Sequence, residues 1–241
     1  MNLKIACWNV RTLLDNSNSN RPDRRTALLA IELSRYNIDI VALSETRLAN
    51  EGQIAEIKGG YTFFWKGKGE EENRESGVGF AIKTTLVDKL EELPFGLSDR
   101  LMSFRLPLQG GRFATVISVY APTMSHSEDD ILLFYADLRK LLSGISKDDK
   151  ILLMGDFNAR VGTDSDIWNC LGKNGYGKQN SNGLHLLQLC TEFNFIIGNT
   201  IYRQKNKYKG TWMHPRSKHW HMIDYIITRR RDMQDLILSK P

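Results

Sequence analysis

Residues 151–159 read Ile-Leu-Leu-Met-Gly-Asp-Phe-Asn-Ala, an apolar run that ends in a carboxylate and a carboxamide. Such a run predicts a buried strand followed by a turn. If the backbone stays extended, Asp156 and Asn158 point the same way, so that one side chain accepts a proton or holds a cation while the other donates to a phosphate oxygen. That pair suits metal-assisted hydrolysis of a phosphoester. A plain Asx-turn explains the same residues equally well, and the rest of the chain has to separate the two interpretations.

The length allows one large α/β domain or two small ones, and the composition is that of an ordinary soluble globular protein. The 241 residues are 41% hydrophobic and 25% charged, which is enough apolar material for a sizeable core. A formal net charge of +5 favours a polyanionic partner without identifying one. The 3 cysteines form no Cys-x-x-Cys pair, so they imply neither a disulfide framework nor a zinc site and fit a reducing compartment. With no leader peptide and no apolar run of about 18 residues, we expect an intracellular protein without a membrane partner.

Alternating and helical patterns of apolar residues divide the chain into strands and helices. They predict strands at residues 3–9, 38–42, 61–65, 77–82, 101–106, 113–120, 150–156, 195–198, 211–213 and 222–228. They predict helices from Arg21-Pro22-Asp23 to about Tyr36, at 128–142 behind a Ser127 cap, and at 183–193. Polar loops lie at 15–20, 70–72 and 159–182. No repeat or linker divides the chain, so we expect a single domain over residues 1–241 with mixed sheet layers covered by helices.

Polar side chains recur at or just past the ends of the predicted strands. They are Asn9, Glu45, Tyr120, the pair Asp156 and Asn158, and Asp224. Polar side chains at the same end of neighbouring strands converge in space, so we expect these five sites to meet. Glu45 ends an otherwise apolar strand, and a buried carboxylate there needs a partner. A hard cation with oxygen ligands is the economical one, and Mg²⁺ is the natural candidate because it binds through one or two carboxylates.

Six short motifs in this order carry a family resemblance. They are Trp8-Asn9, Ser44-Glu45-Thr46, Ser76-Gly77-Val78-Gly79, Val119-Tyr120-Ala121-Pro122, Gly155-Asp156-Phe157-Asn158 and Ile223-Asp224-Tyr225. With these motifs the chain resembles the endonuclease/exonuclease/phosphatase family over nearly its whole length. Within that family it is most similar to the apurinic/apyrimidinic-type endonuclease domains of LINE-type retrotransposons. The resemblance implies an α/β fold: a four-layer sandwich of two packed mixed β-sheets flanked by helices.

The resemblance also implies roles for the residues in these motifs. Glu45, assisted by Asn9, is expected to ligate Mg²⁺, for which Mn²⁺ can substitute. Asp156 is expected to orient or deprotonate the attacking water, while Asn158 and Tyr120 hold phosphate oxygens. In chemical terms a metal and fixed donors neutralise the charge that grows on phosphorus while a positioned base supplies the nucleophile.

Two further positions follow from the same resemblance. Thr211 matches a hydroxyl that contacts the phosphate in retroelement relatives, and Asp224 matches the acid that orients a histidine. Arg11 stands where many base-excision repair relatives carry an acidic residue, a departure that the retroelement branch shares. The family's Ser/Thr-Asp-His segment does not occur before Pro241, so we expect the 241-residue chain to be folded and at most feebly active.

The last third of the chain combines basic and aromatic residues. The set is Arg203, Lys205, Lys207, Lys209, Arg216 and Lys218, interleaved with Tyr202, Tyr208, Trp212 and Trp220. Such a set can track a DNA backbone and stack a displaced base, and we expect Trp212, Arg216 and Lys218 to bind the substrate beside Thr211. The alternative is a solvated loop with core aromatics. The run 229–231, three arginines, fits either a solvated strand end or a nuclear-localisation element, and we expect a nuclear protein.

Three histidines, His214, His219 and His221, precede Asp224 and are candidates to replace the histidine of the Ser/Thr-Asp-His segment. His221 lies three residues before Asp224, so the two side chains fall on opposite faces if the strand is regular. His214 and His219 are expected to be exposed polar residues beside a basic turn.

The leading hypothesis is therefore a Mg²⁺-dependent DNA endonuclease-like phosphodiesterase of retrotransposon origin. An inositol-polyphosphate phosphatase or a sphingomyelinase-like hydrolase shares the same scaffold and also takes an anionic substrate. A third hypothesis is a non-catalytic chromatin or protein-interaction module that keeps the fold. Nicking of plasmid DNA, release of phosphate from lipid headgroups, and binding without turnover separate the three.

Overall fold

A computed structural model of the chain describes residues 2–15 and 23–237. The chain divides into two compact units, Met1–Tyr120 and Ala121–Pro241, called here the first and the second unit. The single-domain organisation expected over residues 1–241 stays a prediction. Among the described residues, none of the helices has both the length and the apolar character that crossing a membrane requires. The predicted loop at 15–20 and the helix start at Arg21-Pro22 lie almost entirely outside the described residues.

The first unit contains a five-stranded mixed sheet. Its elements are β1 (Ile5–Asn9), α1 (Arg25–Tyr36), β2 (Ile40–Ser44), β3 (Glu51–Glu56), β4 (Tyr61–Lys66) and β5 (Val78–Lys83). The strand order is β1-β2-β5-β4-β3. β1 and β2 are parallel and the other neighbours are antiparallel. A parallel pair needs a crossover, which α1 provides. β2 is buried along its whole length, as expected for a central strand whose residues are nearly all apolar.

A second set of strands packs against this sheet within the first unit. It follows the short helix α2 (Thr84–Val87) and consists of β6 (Phe95–Ser98), β7 (Leu101–Pro107) and β8 (Phe113–Tyr120). These three strands form an antiparallel meander. Phe80 on β5 meets Phe104 on β7 edge to face, with ring centroids 4.9 Å apart. The Ser118 hydroxyl on β8 donates to the Leu43 carbonyl on β2 at 3.4 Å. The core of the first unit therefore lies between two sheet layers.

The second unit is built on an antiparallel group of three strands. Its elements are α3 (Glu128–Gly144), β9 (Lys150–Asp156), α4 (Ser181–Glu192), β10 (Phe195–Ile197), β11 (Trp212–Met213), β12 (Trp220–His221) and β13 (Asp224–Arg229). Short 3-10 helices lie at Gly198–Thr200, Asn206–Tyr208 and Arg230–Asp235. β13 pairs with β9 on one side and β10 on the other. β11 and β12 form a separate two-stranded ribbon.

The two long helices of the second unit begin at side-chain caps. The Ser127 hydroxyl oxygen accepts the Asp130 amide, and the Asp130 carboxylate accepts the Ser127 amide, so α3 begins with a capping box. Asn180 accepts the Gly183 amide at 2.8 Å and caps α4. The two helices pack against each other, and the Tyr135 hydroxyl on α3 donates to the Asn182 carbonyl at 3.3 Å.

The fold class predicted from the sequence is confirmed: two mixed β-sheets with flanking helices. The predicted strands at 113–120 and 150–156 have the bounds of β8 and β9. The strand expected at 38–42 lies at Ile40–Ser44 instead, because the left-handed Asn37 caps the end of α1 and the Ile38 amide donates to the Leu33 carbonyl. The first helix begins at Arg25, whose amide is accepted by Asp15 at 2.9 Å.

Three strands, β3, β6 and β12, and one break are absent from the sequence prediction. β3 and β6 are short edge strands in which glycine, charged residues and exposed side chains interrupt any apolar run. The strand expected at 222–228 begins at Asp224 and is preceded by β12. The break falls at Met222-Ile223, where the Ile223 carbonyl accepts the Phe157 amide at 2.9 Å. α4 begins at Ser181, two residues before the predicted start, because Asn180 supplies the cap.

Candidate active site

Glu45 lies just past the end of β2, in a loop with an unusual backbone. Glu45 and Arg47 both have a φ of 56°, in the left-handed region. For residues other than glycine this conformation costs about 1–3 kcal/mol each and persists only where the surroundings enforce it. Here the Thr46 amide donates to the Gly77 carbonyl at 3.1 Å and the Arg47 amide to the Ser76 carbonyl at 3.0 Å. The Ser76-Gly77 segment therefore holds the loop that presents Glu45.

Asn9 and Glu45 meet, as the sequence predicts for this pair. The Asn9 Nδ2 donates to the Glu45 Oε1 at 2.7 Å. On the other carboxylate oxygen, the Arg47 Nη2 lies 3.3 Å from Oε2. The Asn9 Oδ1 accepts the Arg11 amide at 3.0 Å, which fixes the orientation of the carboxamide. β1 and β2 are parallel and put Asn9 opposite Ser44, so adjacent strand ends bring the two side chains together.

The side chains of this loop fit a mostly hydrated divalent cation. Mg²⁺ takes oxygen ligands, uses one or two carboxylates and keeps several waters. Glu45 offers one carboxylate, 19% exposed, and Asn9 offers an amide oxygen. Within residues 2–15 and 23–237, no group of three or more His, Cys, Asp and Glu side chains is arranged to hold a metal ion. A cation at Glu45 would draw most ligands from water and substrate, and Arg47 beside the carboxylate would weaken its binding.

Tyr120 ends β8 and is 6% exposed. Arg100, in the turn between β6 and β7, holds it in three ways. The Arg100 carbonyl accepts the Tyr120 amide at 3.0 Å, and the Arg100 Nη1 donates to the Tyr120 carbonyl at 3.4 Å. The guanidinium carbon also lies 5.3 Å from the centre of the Tyr120 ring, within range of a cation–π contact.

Asp156 and Asn158 form the turn that follows β9. Asp156 is 3% exposed, and its Oδ1 accepts the Asn158 amide at 2.9 Å, which is an Asx-turn. Asn158 has a φ of 46°, so the extended geometry assumed in the sequence analysis ends at Asp156. The Asn158 Nδ2 donates to the Ala121 carbonyl at 2.9 Å, which leaves one amide hydrogen of that group for another acceptor. The Asx-turn interpretation therefore holds for the backbone, and the turn places both side chains at the end of β9.

Asp224 lies directly opposite Asp156, but it begins its strand instead of ending it. β13 runs antiparallel to β9, so the start of one strand lies beside the end of the other. Burial raises the pKa of Asp224 to about 6, while a hydrogen bond with Thr211 lowers it. The Thr211 Oγ1 accepts the amides of Ile223 and Asp224 at 3.1 and 3.3 Å. Thr211 thus shapes the turn that carries Asp224, and its contact with a phosphate stays a prediction.

The β11–β12 ribbon carries Trp212 in a cluster with two imidazoles, whose own centroids lie 6.4 Å apart. Trp212 stacks on His221 with centroids 5.9 Å apart and meets His214 edge to face at 5.5 Å. Burial, with the neighbouring Arg160 charge, lowers the pKa of His221. Arg216 and Lys218 are exposed in the turn of the ribbon. Their placement suits an anionic ligand, and their binding role stays a prediction.

The histidines differ from the sequence expectation in two respects, at His221 and at His214. His221 does not share a regular strand with Asp224, because β12 ends at His221 and β13 begins at Asp224. His219 is exposed, as expected. His214 is partly buried, and its Nδ1 accepts the amides of Arg216 and Ser217 at 3.2 and 3.1 Å. The imidazole of His214 therefore caps the turn of the ribbon.

Two asparagines that hold the Asp156 turn were missed in the sequence analysis. Asn182 is 1% exposed, and its Nδ2 donates to the carbonyls of Pro122 and Asn158 at 3.0 and 3.1 Å. Asn180 accepts the Arg160 amide at 2.8 Å in addition to capping α4. The signal for the Asn180 cap is the segment Asn180-Ser181-Asn182-Gly183 before a helical pattern. No sequence pattern indicates the carbonyl partners of Asn182.

Each unit thus carries polar side chains at its strand ends. The first unit brings together Asn9 and Glu45, and places Tyr120 at the end of β8. The second unit brings together Asp156, Asn158, Asp224 and Thr211. The convergence of all five predicted sites stays a prediction.

Two mixed β-sheets flanked by helices define an α/β sandwich. The family model for the Endonuclease/Exonuclease/phosphatase family matches residues 6–236, so the chain belongs to that family. Its members are usually hydrolases of phosphodiesters or phosphate esters and commonly use divalent metals.

In sequence, the chain is similar to craniofacial development protein 2 of Bos taurus. The two are 32% identical over 228 residues, which cover 94% of this chain and 36% of that protein. The motifs that indicate the family also predict a resemblance to this protein, and that resemblance is confirmed. The chain spans little more than a third of the length of this relative.

Solved structures share the fold at low sequence identity. An AP endonuclease from Archaeoglobus fulgidus has a TM-score of 0.62 and 19% identity, covering 96% of this chain and 88% of that one. A 3′ phosphatase from Neisseria, bound to a product DNA hairpin, has a TM-score of 0.60 and 18% identity, with coverage of 96% and 88%. At such identities the likeness shows the fold.

Proposed function

We propose that this chain is a Mg²⁺-dependent DNA endonuclease-like phosphodiesterase of retrotransposon origin. The observation that carries the proposal is the pair Asp156 and Asp224, opposite each other on neighbouring strands, with the pKa of Asp224 raised to about 6. Paired carboxylates in different environments are typical of sites that move protons in hydrolysis. The proposal also rests on membership of a family of phosphoester hydrolases.

Each candidate residue receives a role. Asp156 orients the attacking water or takes its proton. Asp224 is the acid that would orient a histidine. Asn158 and Tyr120 hold phosphate oxygens, the first through the amide hydrogen that Ala121 does not occupy. Glu45 and Asn9 would hold Mg²⁺ or Mn²⁺, which when bound neutralises negative charge on the phosphate.

DNA is the proposed substrate because the ribbon presents basic side chains around an aromatic one. Thr211 and Trp212 lie on or beside β11, and Arg216 and Lys218 are exposed in the turn. Lys and Arg side chains supply sequence-independent affinity for a phosphate backbone. The +5 net charge acts in the same direction.

The test is nicking of supercoiled plasmid DNA in Mg²⁺, with Asp156→Asn as the informative variant. The matched control is Asp137→Asn, the same change at an exposed position on α3 of the same unit. The parent rate is expected to be low, and we expect Asp156→Asn to lower it to the rate of Mg²⁺ without protein while DNA binding is kept, because a general base is lost. Asp137→Asn should nick at the parent rate.

Nicking by Asp156→Asn at the rate of Asp137→Asn would remove Asp156 from the chemistry. Parallel assays of inositol polyphosphates and sphingomyelin decide the substrate class. Mg²⁺-dependent turnover confined to either of these would replace DNA as the substrate. Binding of DNA by the parent with no turnover of any substrate would support a non-catalytic module.

A further inference from the structure

The turn between β6 and β7 contacts the segment that holds the Glu45 loop. Asp99 lies in this turn and accepts the Ser76 hydroxyl through its Oδ2. Its carbonyl also accepts the Gly77 amide at 3.1 Å. Ser76 is 2% exposed, so its hydroxyl is out of reach of bulk water and depends on this partner.

Ser76 and Gly77 in turn fix the backbone of the Glu45 loop. Their two carbonyls accept the amides of Arg47 and Thr46. Gly77 has a φ of 112°, and a Cβ at this position would lie 2.4 Å from the Thr46 hydroxyl oxygen. Only glycine therefore allows the segment to approach the loop so closely. The left-handed conformation of Glu45 is held by bonds that lead back to Asp99.

The same turn also reaches the other candidate residue of the first unit. Arg100, next to Asp99, exchanges two hydrogen bonds with the backbone of Tyr120. The Ser98 hydroxyl accepts the Arg100 amide at 3.2 Å and closes the turn. One short turn is therefore bonded both to the support of Glu45 and to Tyr120.

We propose that Asp99 is a positioning residue, which sets the place of the Glu45 carboxylate through Ser76 and Gly77. This inference rests on the proposed metal role of Glu45. Asp99 is bonded to the segment behind the loop and acts on Glu45 only through it. Loss of the carboxylate leaves the buried Ser76 hydroxyl without its acceptor and frees the segment to move. The left-handed loop then relaxes, because that conformation persists only under constraint.

The test compares Asp99→Ala with Asp99→Asn, which keeps an oxygen acceptor for Ser76. Asp88→Asn, at an exposed position after α2 in the same unit, is the control. Two quantities are measured on the 241-residue protein: hydrogen exchange of the Thr46 and Arg47 amides, and Mn²⁺ affinity by titration. We expect Asp99→Ala to exchange these amides faster and to bind Mn²⁺ about tenfold more weakly, the lower end of the effect of residues that bond directly to a ligand. Asp99→Asn should stay within about threefold of the parent, and Asp88→Asn should match it.

Ser76→Ala removes the same hydrogen bond from the other side, and it serves if Asp99→Ala does not fold. Exchange rates in Asp99→Ala or Ser76→Ala equal to those in Asp88→Asn would overturn the proposal. The proposal would also fail if Asp99→Ala exchanged these amides faster but bound Mn²⁺ as tightly as the parent, while Glu45→Gln bound Mn²⁺ more weakly. If Glu45→Gln binds Mn²⁺ like the parent, the metal role of Glu45 fails, and faster exchange in Asp99→Ala would then support the positioning of the loop alone.

Discussion

Asp224 makes the stability of the folded chain depend on pH. Its pKa is about 6 in the folded protein against an ordinary value of 3.8, because burial disfavours the charged carboxylate. The folded state therefore binds more protons than the unfolded state between these two values. The stability that this group contributes is complete below pH 3.8 and is lost as the pH rises through about 6.

We expect Asp224→Asn to be more stable than the parent at pH 7.5, because it removes the buried charge. The gain should be about 1 kcal/mol, or about 2–4 °C in Tm for a chain of this size. Thermal unfolding of both proteins between pH 4 and pH 8 measures it. The gap in Tm should close toward pH 4, and a gap that is constant across this range would show that Asp224 titrates normally.

Asn182 is the residue whose loss should damage the Asp156 turn most. It is buried and donates to the carbonyls of Pro122 and Asn158. Asn182→Ala leaves both carbonyls without this donor, and we expect a loss of about 2–4 kcal/mol in the free energy of unfolding. Asn169→Ala, at an exposed position in the same unit, should change it by less than about 0.5 kcal/mol.

Urea unfolding of the two variants and the parent supplies the comparison. A further variant, Asn182→Asp, keeps the shape but presents a carboxylate to the two carbonyls, so it should be at least as unstable as Asn182→Ala. Equal midpoints for Asn182→Ala and Asn169→Ala would mean that other donors replace the carboxamide.

Among the elements, the β11–β12 ribbon is the one whose function is easiest to test. The double variant Arg216→Ala with Lys218→Ala should lower the slope of log K for DNA binding against log salt concentration by about one unit per lost phosphate contact. The double variant of Lys140 and Lys147 to alanine removes the same charge from exposed positions elsewhere in the second unit. It should leave the slope close to that of the parent.

The measurement is fluorescence anisotropy of labelled duplex DNA between about 50 and 200 mM salt, the range over which phosphate contacts dominate affinity. Sequence preference should barely change, since these contacts are with the backbone. If the Lys140 and Lys147 variant lowers the slope as much as the ribbon variant, DNA binds by overall charge and the ribbon has no special part.

The three arginines at 229–231 are a charged run that the sequence suggests is solvated, but their side chains bond to backbone carbonyls of the second unit. The Arg229 Nη2 donates to the Ser146 carbonyl at 3.3 Å. The guanidiniums of Arg230 and Arg231 donate to the carbonyls of Asn169 and Lys147. These side chains hold loops of the second unit, so they serve the fold directly. The nuclear localisation expected from this run stays a prediction.

At the scale of the whole chain, the sequence predicts what depends on local pattern. The apolar runs of β8 and β9 place Tyr120 and Asp156 at strand ends without any knowledge of their partners. The conformation of Glu45 is different, because it depends on Ser76 and Gly77, which are distant in sequence. A positive φ at a glutamate has no local signal.

The same distinction explains the errors at the other elements. β3 and β6 are stabilised by their single neighbours and carry little apolar pattern of their own. The break before Asp224 comes from a bond between Ile223 and Phe157, which no periodicity in residues 220–229 reveals. What was missed is therefore what tertiary contacts decide.

Because β9 pairs with β13, a strand made much later, the two strands are separated by a delay during synthesis. The Thr228 hydroxyl on β13 donates to the Ile151 carbonyl on β9, across 77 residues of chain. At about 5–20 residues per second, a ribosome needs about 4–15 s to make the intervening segment. During that interval the nascent β9 strand waits without its β13 neighbour, an opportunity for chaperones to bind. Asp156 and Asp224 come together only after most of the second unit has left the ribosome.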